Sequence, residues 1–219
     1  MYSNSHGQTL VPVRLVSKTN EVEQAPNALE CSLHTLPKPL HREFHHVFNE
    51  KYLDAKFQQG AGIELLAIPT NQRARMDLVA IGDDVEAEKD RLLNTVRKKL
   101  TSITRSRLSF KCIPACFYTM QFMDFAADFC QKIKENGFWA DYIDPCSGLP
   151  MLTPDCNTKV YSEVDGMEVL LGYRAHNAGF CKILTHPKWG SAVYPATIFC
   201  YAPRELTAKI LESYPLVSH

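Results

Sequence analysis

The side chains best suited to chemistry in this chain are its thiols and imidazoles. Cysteines stand at 31, 112, 116, 130, 146, 156, 181 and 200. No two make a CxxC pair and the spacings do not repeat, so the thiols are expected to be reduced and intracellular rather than a disulfide framework. Cys112 and Cys116 carry no functional weight. His41 and His45 are four residues apart with His46 beside them, which would set two imidazoles on one helix face. No cysteine or acid at ligand spacing completes a metal site there, and a polar helix face is the simpler reading. Cys181 and His186 share one short stretch, but five residues apart on a strand they point to opposite faces, which argues against a thiolate nucleophile with a histidine base. Cys181 is left as a soft, strongly donating metal ligand or as an ordinary buried strand cysteine. Lys182 adds positive charge beside it, and Gly179 allows a bulky ligand or partner backbone to come close. Walker A, GxGxxG after a strand, GxSxG and HExxH patterns are absent from the sequence.

The elements that must hold these residues follow from periodicity and turn chemistry. Leu29, Cys31 and Leu33 alternate with Glu30, Ser32 and His34, which predicts a half-buried strand. Leu40, Phe44, Val47 and Phe48 fall on one face of a short helix after Pro37 and Pro39. Apolar runs at Ile63 to Ile68 and Met76 to Ile81 predict two strands joined as a hairpin. A helix over Phe122 to Glu135 should stop at Asn136-Gly137. A strand from Phe138 to Ile143 then enters the turn Asp144-Pro145-Cys146-Ser147-Gly148. Further strands are expected around Val169–Tyr173, Cys181–Thr185 and Ala192–Tyr201, and a closing helix from Pro203 should bury Leu206, Ile210 and Leu211. Strands and helices mix without regular alternation, so the fold class is α+β.

The chain has 219 residues, 45% of them apolar, and equal numbers of basic and acidic side chains, 24 of each. A formal charge of zero argues against a nucleic-acid binder, and no apolar run approaches the ~20 residues of a membrane span. Residues 1–27 are expected to form a disordered arm, in which Leu10 to Val16 could dock as an edge strand or a linear motif. This arm has a weak mitochondrial-presequence character through Arg14, Lys18 and its lack of acids before Glu21. Residues 28–213 are expected to form a single domain. Within it, Val96–Gln121 holds six basic residues and no acid. Joining Thr95 to Phe122 would produce one continuous amphipathic helix from Asp84 to Asn136, so 96–121 is read as an unstructured insertion.

Two stretches carry more than composition explains: Gly137-Phe138-Trp139-Ala140-Asp141-Tyr142-Ile143-Asp144-Pro145-Cys146-Ser147-Gly148-Leu149, and Gly179-Phe180-Cys181-Lys182-Ile183-Leu184-Thr185-His186-Pro187-Lys188-Trp189-Gly190. In physical terms Trp139 and Trp189 read as structural anchors. Both stretches closely resemble signature motifs of the cobalamin-trafficking CblD family, and Glu30-Cys31, Pro37, Leu40 and Arg42-Glu43-Phe44 resemble its opening strand and helix. The resemblance implies a nitro-FMN-reductase-like α+β domain, with a mixed or antiparallel sheet and flanking helices, that has lost flavin chemistry. It implies an adaptor rather than an enzyme. Such an adaptor docks with the cobalamin-processing protein CblC and directs cobalamin to methionine synthase in the cytosol and methylmalonyl-CoA mutase in mitochondria. It also implies Cys181 as an axial ligand to the cobalamin cobalt. The sequence departs from the family pattern at Phe180, where relatives can have a second cysteine, and at the 96–121 insertion. Two rivals remain. One is a flavin-dependent reductase, for which Arg73 and Arg75 are the available phosphate-binding pair; the other is a thiol reductase acting on cobalamin itself.

Overall fold

The computed structural model describes residues 7–16, 28–48, 62–77, 87, 122–156, 158–178 and 181–217. Among the described residues there are eight strands: β1 (Thr9–Val16), β2 (Leu29–Thr35), β3 (Ile63–Arg73), β4 (Trp139–Tyr142), β5 (Arg174–Ala178), β6 (Cys181–Thr185), β7 (Val193–Pro203) and β8 (Leu216–Val217). The described α-helices are α1 (Lys38–Val47), α2 (Phe122–Glu135), α3 (Glu163–Leu171) and α4 (Arg204–Glu212). Six strands form an antiparallel sheet in the order β4-β7-β3-β2-β1-β8, while β5 and β6 form a separate hairpin. The architecture is α+β.

Alternation along the strands sorts the core into two layers. Ile198, Cys200 and Ala202 of β7 meet Phe125, Phe129 and Ile133 of α2 and Ile210 and Leu211 of α4. On the opposite face Phe199 and Tyr201 pack with Phe44 and Phe48 and with Leu170 of α3. Pro37 precedes α1, whose Leu40, Phe44 and Val47 are buried as their spacing predicts. Helix α2 ends at Gly137, which takes φ +85°, and Asn136 Nδ2 donates to the Lys132 carbonyl at 2.8 Å. Its first described N–H, that of Phe122, donates to Gln72 Oε1 of β3 at 3.0 Å. Pro203 precedes α4, in which Ile210 and Leu211 are buried while Leu206 is partly so.

Several expectations need correction. Within the arm expected to be disordered, Leu10 to Val16 does dock as a strand, and not at the edge: β1 pairs with β2 along its length and with β8 at Leu15 and Val16. Strand β3 runs five residues beyond Ile68, to Arg73, and pairs with β2 on one side and β7 on the other. Both its edges are filled by β2 and β7 rather than by the following apolar run; Met76 and Asp77 are not in a strand, and 78–81 lie outside the described residues. Val169–Tyr173 is not a strand either. Its first three residues end α3, which Ser162 opens by accepting from the Asp165 N–H at 3.3 Å and which Gly172 closes at φ +67°. Both caps are local signals that outweigh the β-leaning run of Val169 to Leu171. Strand β2 is buried on both faces, polar side included, because Glu30, Ser32 and His34 are covered. The 96–121 segment lies outside the described residues.

Candidate functional site

The first motif builds a fixed turn. Asp141 on β4 is fully buried, and burial raises its carboxyl above the ordinary aspartate range despite the hydrogen bonds it accepts. Its Oδ1 accepts from the Tyr142, Met151 and Leu152 N–H groups at 2.7, 3.2 and 2.8 Å, and its Oδ2 from the Thr153 hydroxyl at 2.6 Å. Asp144 accepts from the N–H groups of Cys146 and Ser147 and from the Ser147 hydroxyl, the pattern of an Asx turn. Gly148, at φ +70°, lies so close to the chain that a Cβ would meet Val160 Cγ1 at 2.3 Å. Trp139 is buried with its ring edge-to-face with Phe44 and Phe48 at 5.8 and 5.1 Å. This motif serves architecture.

The second motif forms β6 and the turn that follows it. Cys181 opens β6 and pairs in register with Ala178 at the end of β5. It therefore stands at the tip of the hairpin; Gly179, Phe180 and the Cys181 side chain lie outside the described set. Around the tip, His176, Asn177 and Lys182 are exposed, whereas Ile183 and Leu184 are buried. Leu184 packs with Met167 of α3 and Val193 of β7. The Lys182 ammonium reaches Asp165 and Glu168 of α3, and these two carboxylates hold it above its ordinary range. That geometry corrects the role given to Lys182: its charge is matched by α3 and ties β6 to that helix.

Below the hairpin lies a polar cluster that periodicity alone does not reveal. His186, which follows β6 directly, places Nε2 2.9 Å from Glu30 Oε1 on β2. The same carboxylate oxygen accepts from the Tyr173 hydroxyl at 2.9 Å and from Asn71 Nδ2 at 3.0 Å. Burial works to raise the Glu30 carboxyl, but the bonds from His186, Tyr173 and Asn71 outweigh it and hold the group below its ordinary range. Trp189 stacks on the His186 ring at 4.3 Å and is only partly buried. Beside this cluster, Ser32 and His34 bond at 2.8 Å, and desolvation pulls the His34 imidazole down to about 4. The available signal was the polar face of β2, Glu30, Ser32 and His34, which pattern reading assigned to solvent.

The other residues considered from sequence lie elsewhere in the fold. His41 and His45 face each other at 6.4 Å between ring centres, and His46 lies 2.9 Å from the Lys159 ammonium. Among the described residues no group of three or more His, Cys, Asp or Glu side chains converges as a metal centre requires. Cys31, Cys130, Cys156 and Cys200 are buried, and Cys146 is exposed. Desolvation pushes the Cys31, Cys130 and Cys200 thiols up, the last to about 12, which keeps them protonated and poor ligands. Arg73 and Arg75 stand at the end of β3. No described helix is long and apolar enough to cross a membrane.

Comparison with known proteins agrees with the motifs. The family profile described as methylmalonic aciduria and homocystinuria type D protein matches residues 118–211, from just before α2 through most of α4. Cobalamin trafficking protein CblD of rat is 26% identical over 201 residues, 92% of this chain and 56% of the rat protein. The mouse and human proteins of the same name are 25% identical over the same share of each chain. The chain thus spans a little over half the length of these curated relatives. Both signature stretches, one fixing the β4 turn and the other placing a cysteine at the tip of a hairpin, fall within the residues that are similar to this family.

Proposed function

We propose that this protein is a cobalamin-trafficking adaptor, not an enzyme, that docks with the cobalamin-processing protein CblC and ligates the cobalt through the Cys181 thiolate. The observation that carries this reading is the position of Cys181 at the tip of a hairpin outside the six-stranded sheet, flanked by exposed polar residues. A corrin is planar and wide, and it needs one axial donor presented on a projecting element rather than a closed cage. Cobalamin is cargo in this account. Chain residues supply the soft donor and the backbone that presents it, and the partner supplies most of the corrin contacts. Delivery then proceeds to methionine synthase in the cytosol and methylmalonyl-CoA mutase in mitochondria. The flavin-free, nitro-FMN-reductase-like character of the domain belongs to the same proposal, supported by the antiparallel sheet with helices on both faces.

Titration of purified protein with CblC-bound cob(II)alamin tests it. A new sulfur-to-cobalt absorption band at equimolar protein is expected. A yellow preparation with flavin absorbance would favour the reductase reading. Turnover of cyanocobalamin without CblC would favour the thiol reductase.

A further inference from the structure

We infer that Glu30, His186, Tyr173 and Asn71 form a buried latch that seats the Cys181 hairpin on the sheet, making Glu30 and His186 positioning residues for the thiol. The consequence for cobalt rests on the Cys181 reading above; the latch itself does not. Among the described residues the hairpin β5–β6 shares no backbone ladder with the six-stranded sheet, so side chains help to fix its place. Tyr173 immediately precedes β5 and His186 immediately follows β6. Both roots of the hairpin therefore end on one oxygen, Oε1 of Glu30, at 2.9 Å each. Asn71 of β3 braces that oxygen at 3.0 Å, and the His186 and Glu30 side chains are each only 2% exposed.

The imidazole is two-ended, and its surroundings select its tautomer. Nδ1 faces the N–H groups of Lys188 and Trp189 at 3.2 and 3.0 Å. An atom that meets two N–H donors must offer a lone pair, so the ring hydrogen sits on Nε2 and is donated to Glu30. One end of His186 thus closes the turn to Gly190, whose N–H and carbonyl bond back to His186 at 3.0 and 2.8 Å. The other end ties that turn to β2. Removing Glu30 takes the shared acceptor from three donors, of which Asn71 keeps only its contact to the Met167 sulfur, and the hairpin is where the structure should open first.

The two ends can be separated by substitution. In His186→Asn the shorter amide oxygen can still accept from residues 188 and 189 but cannot reach Glu30. In His186→Gln the amide nitrogen keeps the donor to Glu30. Amide hydrogen exchange on the full chain is read across residues 174–185 and across β3 and β7. Glu30→Gln and His186→Asn should each speed exchange in 174–185 by about tenfold or more, with β3 and β7 changing by less than about twofold. His186→Gln should retain more of the hairpin protection than His186→Asn, and the nitrogen NMR shifts of His186 should report hydrogen on Nε2. Exchange that rises equally over the whole sheet, an unchanged hairpin, or hydrogen on Nδ1 overturns the latch. Should Glu30→Gln fail to fold, Tyr173→Phe, which removes a single hydroxyl, is judged by the same pattern. With CblC-bound cob(II)alamin, Glu30→Gln should weaken formation of the thiolate band by about tenfold while the count of titratable thiols stays the same; an undiminished band overturns the positioning role. If the unaltered protein gives no band at all, the Cys181 reading fails while the exchange pattern still decides the latch.

Discussion

Replacing Trp139 with alanine probes whether the first motif holds the fold or offers a surface. Trp139 opens β4, is 5% exposed and packs toward α1, with Phe44, Phe48 and Tyr201 at ring separations of 5.8, 5.1 and 6.1 Å. Truncation deletes a large buried side chain where four aromatic residues interlock, so collapse around the cavity is limited. Phe or Trp to Ala in such a setting costs ~3–5 kcal/mol, and each edge-to-face pair lost adds ~0.5–1.5 kcal/mol beyond area within that range. Urea unfolding followed by far-ultraviolet circular dichroism should therefore show Trp139→Ala weakened by about 4 kcal/mol with an unchanged slope. Trp189 gives the contrast. It is only partly buried and its main partner is the His186 ring at 4.3 Å, so Trp189→Ala should cost about 1–2 kcal/mol. A loss below about 1 kcal/mol at Trp139 would refute the assignment of that residue to the core and mark it as a partner-binding side chain.

Further expectations follow from other buried groups. Glu163 accepts from the Thr197 N–H and hydroxyl at 3.0 and 2.6 Å, and desolvation pushes its carboxyl from 4.5 up to about 8. A raised carboxyl binds its proton more tightly when folded, so its contribution is complete below pH 4.5 and is lost as pH climbs through 8. Glu163→Gln should remove this loss, on the order of a few kcal/mol, and become the more stable form above pH 8, as denaturation at stepped pH would show; parallel curves for the two proteins would contradict it. Asp141→Ala strands the Tyr142 and Leu152 N–H groups and the Thr153 hydroxyl, while Met151 keeps its bond to the Tyr142 carbonyl, and should cost about 3–4 kcal/mol; Asp141→Asn, which keeps an acceptor, should cost about 1 kcal/mol by the same assay. Deletion of residues 96–121 should leave a protein that melts at least as high as the full chain and keeps Cys181 chemistry; an insoluble product would make the segment integral to the domain.

Sequence patterns carried the fold where side chains alternate or repeat strongly. The Leu40, Phe44, Val47 and Phe48 spacing gave α1, and the Phe122 to Ile133 stripe gave α2 with its stop at Gly137. Errors arose where local signals compete. Leu10 to Val16 reads as an isolated polar-flanked run, and its burial depends on β2 and on β8 near the far end of the chain. The helix over Val169 to Leu171 could have been found from Ser162 and Gly172, had caps been weighed above the apolar run. Glu30 and His186 are 156 residues apart, and neither has a periodic neighbour that predicts the other. Such a contact is created by the way the hairpin roots return to the sheet, which no local pattern encodes. Lys182 shows the converse: its neighbour in sequence suggested a role beside Cys181, and its partners in space are Asp165 and Glu168.

The most direct test of cobalt ligation is an electron paramagnetic resonance and visible spectrum of cob(II)alamin mixed with CblC and either this protein or its Cys181→Ser variant. A hydroxyl cannot replace a soft thiolate at cobalt, so the variant should fold normally yet give neither the sulfur-to-cobalt band nor its resonance signature. Cys146→Ser, which removes the exposed thiol, and Cys156→Ser should give both unchanged. A thiolate complex that survives Cys181→Ser and disappears with Cys146→Ser would place the ligand on the β4 turn and contradict the account.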